Sequence, residues 1–127
     1  MKTVLLVDDD DICNFIMTKV LEKLGFATRI LSALNGKEAM ELIKDCAYNL
    51  KNLPELIFLD IDMPIMDGFE FLEAYNNLEA LNKKDIRIVI LSSSDNPSEK
   101  LRAKLLGVDD FLVKPIDADK LKLALQL

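Results

Sequence analysis

Short apolar runs alternate along this chain with stretches in which apolar residues recur every third or fourth position. Val4–Val7 is a continuous apolar run, the pattern of a parallel strand covered on both faces. Ile12, Phe15, Ile16, Val20 and Leu24 then return at helical spacing, and Gly25 supplies a stop. Ala27–Leu31 reads as a second strand, less apolar and so nearer a sheet edge. Asn35-Gly36 opens a helix with Ala39, Leu42, Ile43, Ala47 and Leu50 on its apolar face, and from Asp45 to Leu53 the pattern passes into a helix end and a loop. Leu56–Asp60 is a third strand, and beyond the break at Pro64 and Gly68 a helix extends from Phe69 to Leu81. Ile86–Leu91, IRIVIL, carries the strongest strand signal. Asn96-Pro97 places an N-cap ahead of a proline at the first helical position, and that helix continues to Gly107. Phe111–Val113 forms a brief fifth strand, and Asp117 caps a last helix, Ala118–Leu127.

Five strand–helix units in strict alternation predict an α/β fold, a doubly wound five-stranded parallel sheet with helices on both faces. A chain of 127 residues suffices for one domain with a core that needs no covalent staples, and residues 1–127 are read as that one domain.

In such folds, ligands bind beyond the carboxyl ends of the strands. Strand one ends in Asp8-Asp9, strand three in Asp60, strand four in Ser92 and strand five in Lys114. Clustered carboxylates stay ionised only beside a cation, and a hard ion such as Mg²⁺ uses a few carboxylates while keeping several waters. An oriented carboxylate can attack phosphorus, a lysine and a metal can neutralise the transferring oxygens, and a serine hydroxyl can donate to the product. Asp60 is thus expected to meet Asp8 and Asp9 through a metal and Lys114 directly. Asp10 and Asp11, by contrast, read as acids favoured at a helix N-terminus.

Charge narrows the partners. A formal net charge of −6 argues against direct nucleic-acid binding, which needs a basic footprint, and against an anionic membrane surface. The apolar stretch at the start has four residues, too few for a signal-peptide core or a membrane span, so the cytoplasm is the expected location. Cys13 and Cys46 form no CxxC motif and no histidine is present, so both read as small hydrophobes in a reducing compartment.

The segments LLVDDD, LDIDMPIMDG, ILSSS and FLVKP stand in the order and at the spacing of one family. Over essentially its whole length, the chain resembles the receiver domain of bacterial response regulators of the chemotaxis-receiver type. The resemblance implies a flavodoxin-like sheet of strand order 2-1-3-4-5. It implies that Asp60 is the phosphoacceptor, supplied by a phosphohistidine on a sensor histidine kinase or histidine phosphotransfer protein. Asp9 would ligate Mg²⁺ directly, Asp8 nearby or through water, and the Asp62 backbone carbonyl would add a ligand. Ser92 and Lys114 would bind the phosphoryl oxygens, and Ser92 with Phe111 would form the switch. Lys114-Pro115 falls where the family commonly has a cis peptide. The expected output is binding of a protein target, or a second copy of the domain, through the Pro97–Leu106 helix, strand five and the last helix.

Two other readings stand beside it. Asp60-Ile-Asp62 also fits the DxD nucleophile of haloacid-dehalogenase-type phosphatases, though Pro64 stands where that family needs Thr or Val. A pseudo-receiver, an interaction module that never takes a phosphoryl group, would typically lack one of Asp8, Asp9, Asp60, Ser92 or Lys114, and all are present here.

Overall fold

The computed structural model describes residues 3–27, 29–49, 53–78 and 86–126. Its elements are β1 (Thr3–Val7), α1 (Asp11–Lys23), β2 (Arg29–Ala33), α2 (Gly36–Asn49), β3 (Leu56–Asp60), α3 (Gly68–Asn76), β4 (Arg87–Ser92), α4 (Pro97–Leu105), β5 (Asp110–Val113) and α5 (Ala118–Leu125). All strand pairings are parallel and the sheet order is β2-β1-β3-β4-β5, as expected. The register sets Val7 beside Leu59, Asp60 beside Leu91 and Ser92 beside Val113. The residues that end β1, β3, β4 and β5 therefore arrive at one rim.

The three inner strands, β1, β3 and β4, bury side chains on both faces, so alternate residues feed two cores. Leu5, Val7, Ile57, Leu59 and Ile90 pack with Ala39 and Ile43 of α2, Phe71 and Leu72 of α3 and Ala103 of α4. Val4, Leu6, Phe58, Val89 and Leu91 pack with Met17 and Leu21 of α1 and Leu121 and Leu125 of α5. Caps fix where three helices begin. Asp10 accepts the Ile12 N–H at 2.9 Å, Asn96 accepts Ser98 N–H at 2.9 Å and Asp117 accepts Lys120 N–H at 2.8 Å. No described helix is long and apolar enough to cross a membrane.

Several boundaries and one helix face differ from the sequence expectation, among them the end of α4 at Leu105 rather than Gly107. In α1 the buried face is Asn14, Met17 and Leu21, with the expected Val20 and Leu24 partly buried against the same core, while Ile12, Phe15 and Ile16 are 70%, 62% and 48% exposed. The cause is polar: Asn14 Nδ2 donates to the Asp8 carbonyl at 3.0 Å, which rotates the helix so that Asn14 and not Phe15 faces the sheet. β2 lies two residues later than expected, because pairing with β1 begins at Thr3 opposite Arg29 and carries Ala33 into the core. α3 stops at Asn76 with Asn77 as its C-cap. Residues 79–81 of the expected helix, the side chain of Ala47, and residues Leu50 and Leu127 lie outside what is described.

Candidate phosphoacceptor and metal site

Asp8 and Asp60 are buried at the rim, 2% and 5% exposed, whereas Asp9 is exposed beside them. One carboxylate oxygen from each of Asp8, Asp9 and Asp60 lies within 4.8 Å of the other two. Lys114 Nζ reaches over this cluster, 2.9 Å from Asp8 Oδ2 and 3.5 Å from Asp60 Oδ2. Its own backbone N–H donates to the Ser92 carbonyl at 2.7 Å, which holds β5 against β4 at the rim. The Lys114–Pro115 peptide bond is cis.

The two buried carboxyls titrate in opposite directions. Burial raises Asp60, the neighbouring Asp8 charge raises it further, and Lys114 offsets this only in part, so its pKa is pushed up to about 7. Burial also pushes Asp8 upward. The Asp10 backbone N–H, Lys114 and the Cys13 thiol together outweigh that and hold Asp8 below the usual carboxylate range. Of the two, Asp60 is therefore the carboxyl that holds its proton more tightly. Lys114 loses some basicity to burial, but the hydrogen bond to Asp8 and the charges of Asp60 and Asp8 leave its pKa raised.

The donor set fits a hard divalent cation. All three candidate side-chain ligands are carboxylate oxygens, two of them belong to buried residues, and the Lys114 ammonium is shared between two of them. Lys114 offsets the cost of ionising Asp60 only in part, and an Mg²⁺ would add positive charge where it is needed. Asp62 is exposed in the loop after β3, and its backbone works against the upward shift of Asp60.

That loop is shaped by close contacts. Gly68 N–H donates to the Ile61 carbonyl at 2.9 Å, folding the start of α3 back onto the end of β3. Asp67 and Glu70 close α3 with a reciprocal capping box. Met66 N–H donates to Pro64 O at 2.7 Å around Ile65, whose φ of 70° makes a tight three-residue turn.

Ser92 is fully buried at the end of β4. Its Oγ accepts the Ser94 N–H at 3.0 Å and donates to Glu99 Oε1 of α4 at 3.0 Å. Phe111 is half-buried, packed against the α2–α3–α4 core, with Lys100 Nζ 5.7 Å from its ring centroid. Asp8, Asp9, Asp60 and Lys114 therefore meet in one cluster, while Ser92 is engaged with α4 and Phe111 packs against the core beneath Lys100.

Sequence reasoning passed over Glu99, Asn14 and Cys13. Glu99 sits three residues after the N-cap Asn96, where a carboxylate ordinarily folds back on the cap, so spacing alone gave no cue to Ser92. Cys13 is not only a small hydrophobe: burial and its hydrogen bond to Asp8 push its thiol up to about 12. Both cysteines are free.

A profile of the response regulator receiver domain matches residues 4–126. The chemotaxis protein CheY of Bacillus subtilis is 32% identical over 117 residues, covering 92% of this chain and 88% of that protein. The crystal structure of a two-component response regulator from Cytophaga hutchinsonii superposes with a TM-score of 0.88 at 29% identity, covering 99% of this chain and 95% of that one. The CheX–CheY–BeF3–Mg²⁺ complex from Borrelia burgdorferi contains a chain with a TM-score of 0.82 at 26% identity, covering 98% of this chain and 87% of that one. Several curated relatives are much longer, and the chain spans between 6% and 24% of their length.

Proposed function

The chain belongs to the response regulator receiver domains, and on that premise we propose that Asp60 accepts a phosphoryl group from a phosphohistidine on a partner protein. The observation that carries this reading is the placement of Asp60: buried, within ligand reach of Asp8 and Asp9, and 3.5 Å from Lys114. In the transfer, an Asp60 carboxylate oxygen bonds to phosphorus as the phosphorus–nitrogen bond breaks, and the histidine nitrogen keeps the electron pair. Lys114 faces the phosphoryl oxygens, and the Ser92 hydroxyl donates to one of them. Asp8, Asp9, Asp60 and the Asp62 backbone carbonyl would hold Mg²⁺, which when bound offsets the negative charge gathered here. A related CheY chain has been seen with BeF3 and Mg²⁺, which supports the same pairing in this site. Residues 1–127 act as one signalling domain, whose only chemistry is its own phosphorylation and dephosphorylation, in the cytoplasm.

The donor is a sensor histidine kinase or a histidine phosphotransfer protein, and it must approach the open rim. The exposed Ile12 and Ile16 of α1 line an apolar groove with Pro115 and Ile116 that is continuous with Lys114, and the donor docks on that side. The output surface is the α4–β5–α5 face, where Leu101, Leu105 and Leu123 are 59%, 78% and 82% exposed. A protein target or a second copy of the domain binds there once Ser92 and Phe111 have moved.

The test is intact mass after incubation with acetyl phosphate, with and without Mg²⁺. A phosphoryl adduct is expected that needs the metal and is absent from Asp60→Ala. An adduct persisting in Asp60→Ala, or full labelling in chelator, overturns the reading. A protein that stays unlabelled with Mg²⁺ is instead an interaction module that takes no phosphoryl group.

A further inference from the structure

We propose that Glu99 is a positioning residue that keeps the Ser92 hydroxyl proton on helix α4 and thereby sets how readily Asp60 is phosphorylated. The inference rests on the phosphoacceptor reading above. Ser92 Oγ carries one proton, and in this structure that proton is given to Glu99 Oε1 at 3.0 Å. The same oxygen accepts the Ser94 N–H at 3.0 Å, so the hydroxyl is held from both sides. Ser92 is 0% exposed, which leaves bulk water no access as a substitute partner.

One proton cannot serve two acceptors. If the hydroxyl donates to a phosphoryl oxygen on Asp60, it must first leave Glu99, and the free energy of that charge-assisted bond is subtracted from the gain at the phosphoryl group. Glu99 therefore stabilises the unphosphorylated arrangement. The same exchange releases a carboxylate in the first turn of α4, the helix that carries exposed Leu101 and Leu105. Loss of the Ser92 contact is in this way felt directly by the face proposed to bind the output partner.

Removing the acceptor leaves the buried hydroxyl of the unphosphorylated state without its partner while costing the phosphorylated state nothing. Glu99→Ala is expected to bind beryllofluoride, a phosphoryl mimic, at least about tenfold more tightly in saturating Mg²⁺, the scale of one hydrogen bond to a charged acceptor. Glu99→Gln retains an acceptor oxygen, though a neutral and weaker one, and is expected to tighten binding by clearly less than Glu99→Ala, which separates the hydrogen bond from simple removal of a negative charge. In a Ser92→Ala background, Glu99→Ala is expected to change nothing, a non-additivity that a merely structural role would not produce. Affinities are read by titration of amide NMR shifts. Unaltered affinity in Glu99→Ala, equal tightening in Glu99→Gln, or an effect that survives in Ser92→Ala overturns the proposal. Failure of the wild-type protein to bind beryllofluoride brings down the phosphoacceptor reading itself, and this proposal with it.

Discussion

Gly68 stands against the backbone of Asp60 so closely that a β-carbon added to it would lie 2.6 Å from the Asp60 carbonyl oxygen and 2.9 Å from Ile61 Cα. The first residue of α3 is thereby packed under the residue proposed to carry the phosphoryl group. Both neighbours are backbone atoms of a buried strand end, so neither can swing aside as a side chain would.

Gly68→Ala is therefore expected to destabilise the protein even though the position is helical. Alanine gains up to about 1 kcal/mol in helix propensity, but overpacking against fixed backbone costs about 1–3 kcal/mol. Urea unfolding measures the balance. A midpoint equal to or above that of the wild type would show that the β3–α3 junction yields.

Lys114 competes with any cation for Asp8 and Asp60, since its ammonium lies 2.9 Å and 3.5 Å from them. Lys114→Ala should bind Mg²⁺ several-fold more tightly, because the competing positive charge is gone, yet lose most of its labelling by acetyl phosphate. Calorimetric titration of Mg²⁺ and intact mass give the two readouts. Weaker Mg²⁺ binding would mean that Lys114 orients the carboxylates more than it competes for them.

Asp60, with its pKa raised to about 7 by burial and by Asp8, predicts a pH dependence in metal-free protein. Between the unfolded carboxylate value near ~4 and the folded value, the native state binds more protons than the unfolded chain, so stability falls as pH rises through this window. Above it the penalty is constant. Asp60→Asn should flatten that slope and be the more stable protein at pH 8. Mg²⁺ should restore stability to the wild type there and much less at pH 5, where it must displace a proton. Thermal unfolding across pH in chelator checks this, and a stability that rises between pH 4 and pH 7 contradicts it.

We predict that water hydrolysing an acyl phosphate on Asp60 passes Asp62, which is exposed, and Ser94, which is half-buried and donates its N–H to Ser92. Both side chains are small and polar. Replacing Ser94 by a bulky residue such as tyrosine should lengthen the phosphorylated lifetime several-fold, while its backbone N–H can still donate to Ser92. Decay of the adduct is followed by mass after removal of the donor. Unchanged decay in both Ser94→Tyr and Asp62 variants would place the path of water elsewhere.

β3 and the order of the elements were legible in the sequence because a strand buried on both faces must be apolar throughout, and LIFLD admits little else. The helix starts at Asp10, Asn96 and Asp117 were legible for an equally local reason, since a cap acts within three residues. Asp8, Asp60, Ser92 and Lys114 could be listed together because a parallel sheet delivers every strand's carboxyl end to one rim. The rotation of α1 was not legible. Ile12, Phe15 and Ile16 make as good an apolar stripe as Met17 and Leu21, and a hydrogen bond from Asn14 to the Asp8 carbonyl chose between them. β2 slid by two residues for a similar reason, as an edge strand takes its register from its one neighbour. The partners of the site's polar atoms, Glu99 on Ser92 and Cys13 on Asp8, depend on how helices dock against strand ends. Periodicity fixes which elements form and which ends converge, whereas helix rotation and side-chain pairing are settled only when the faces pack.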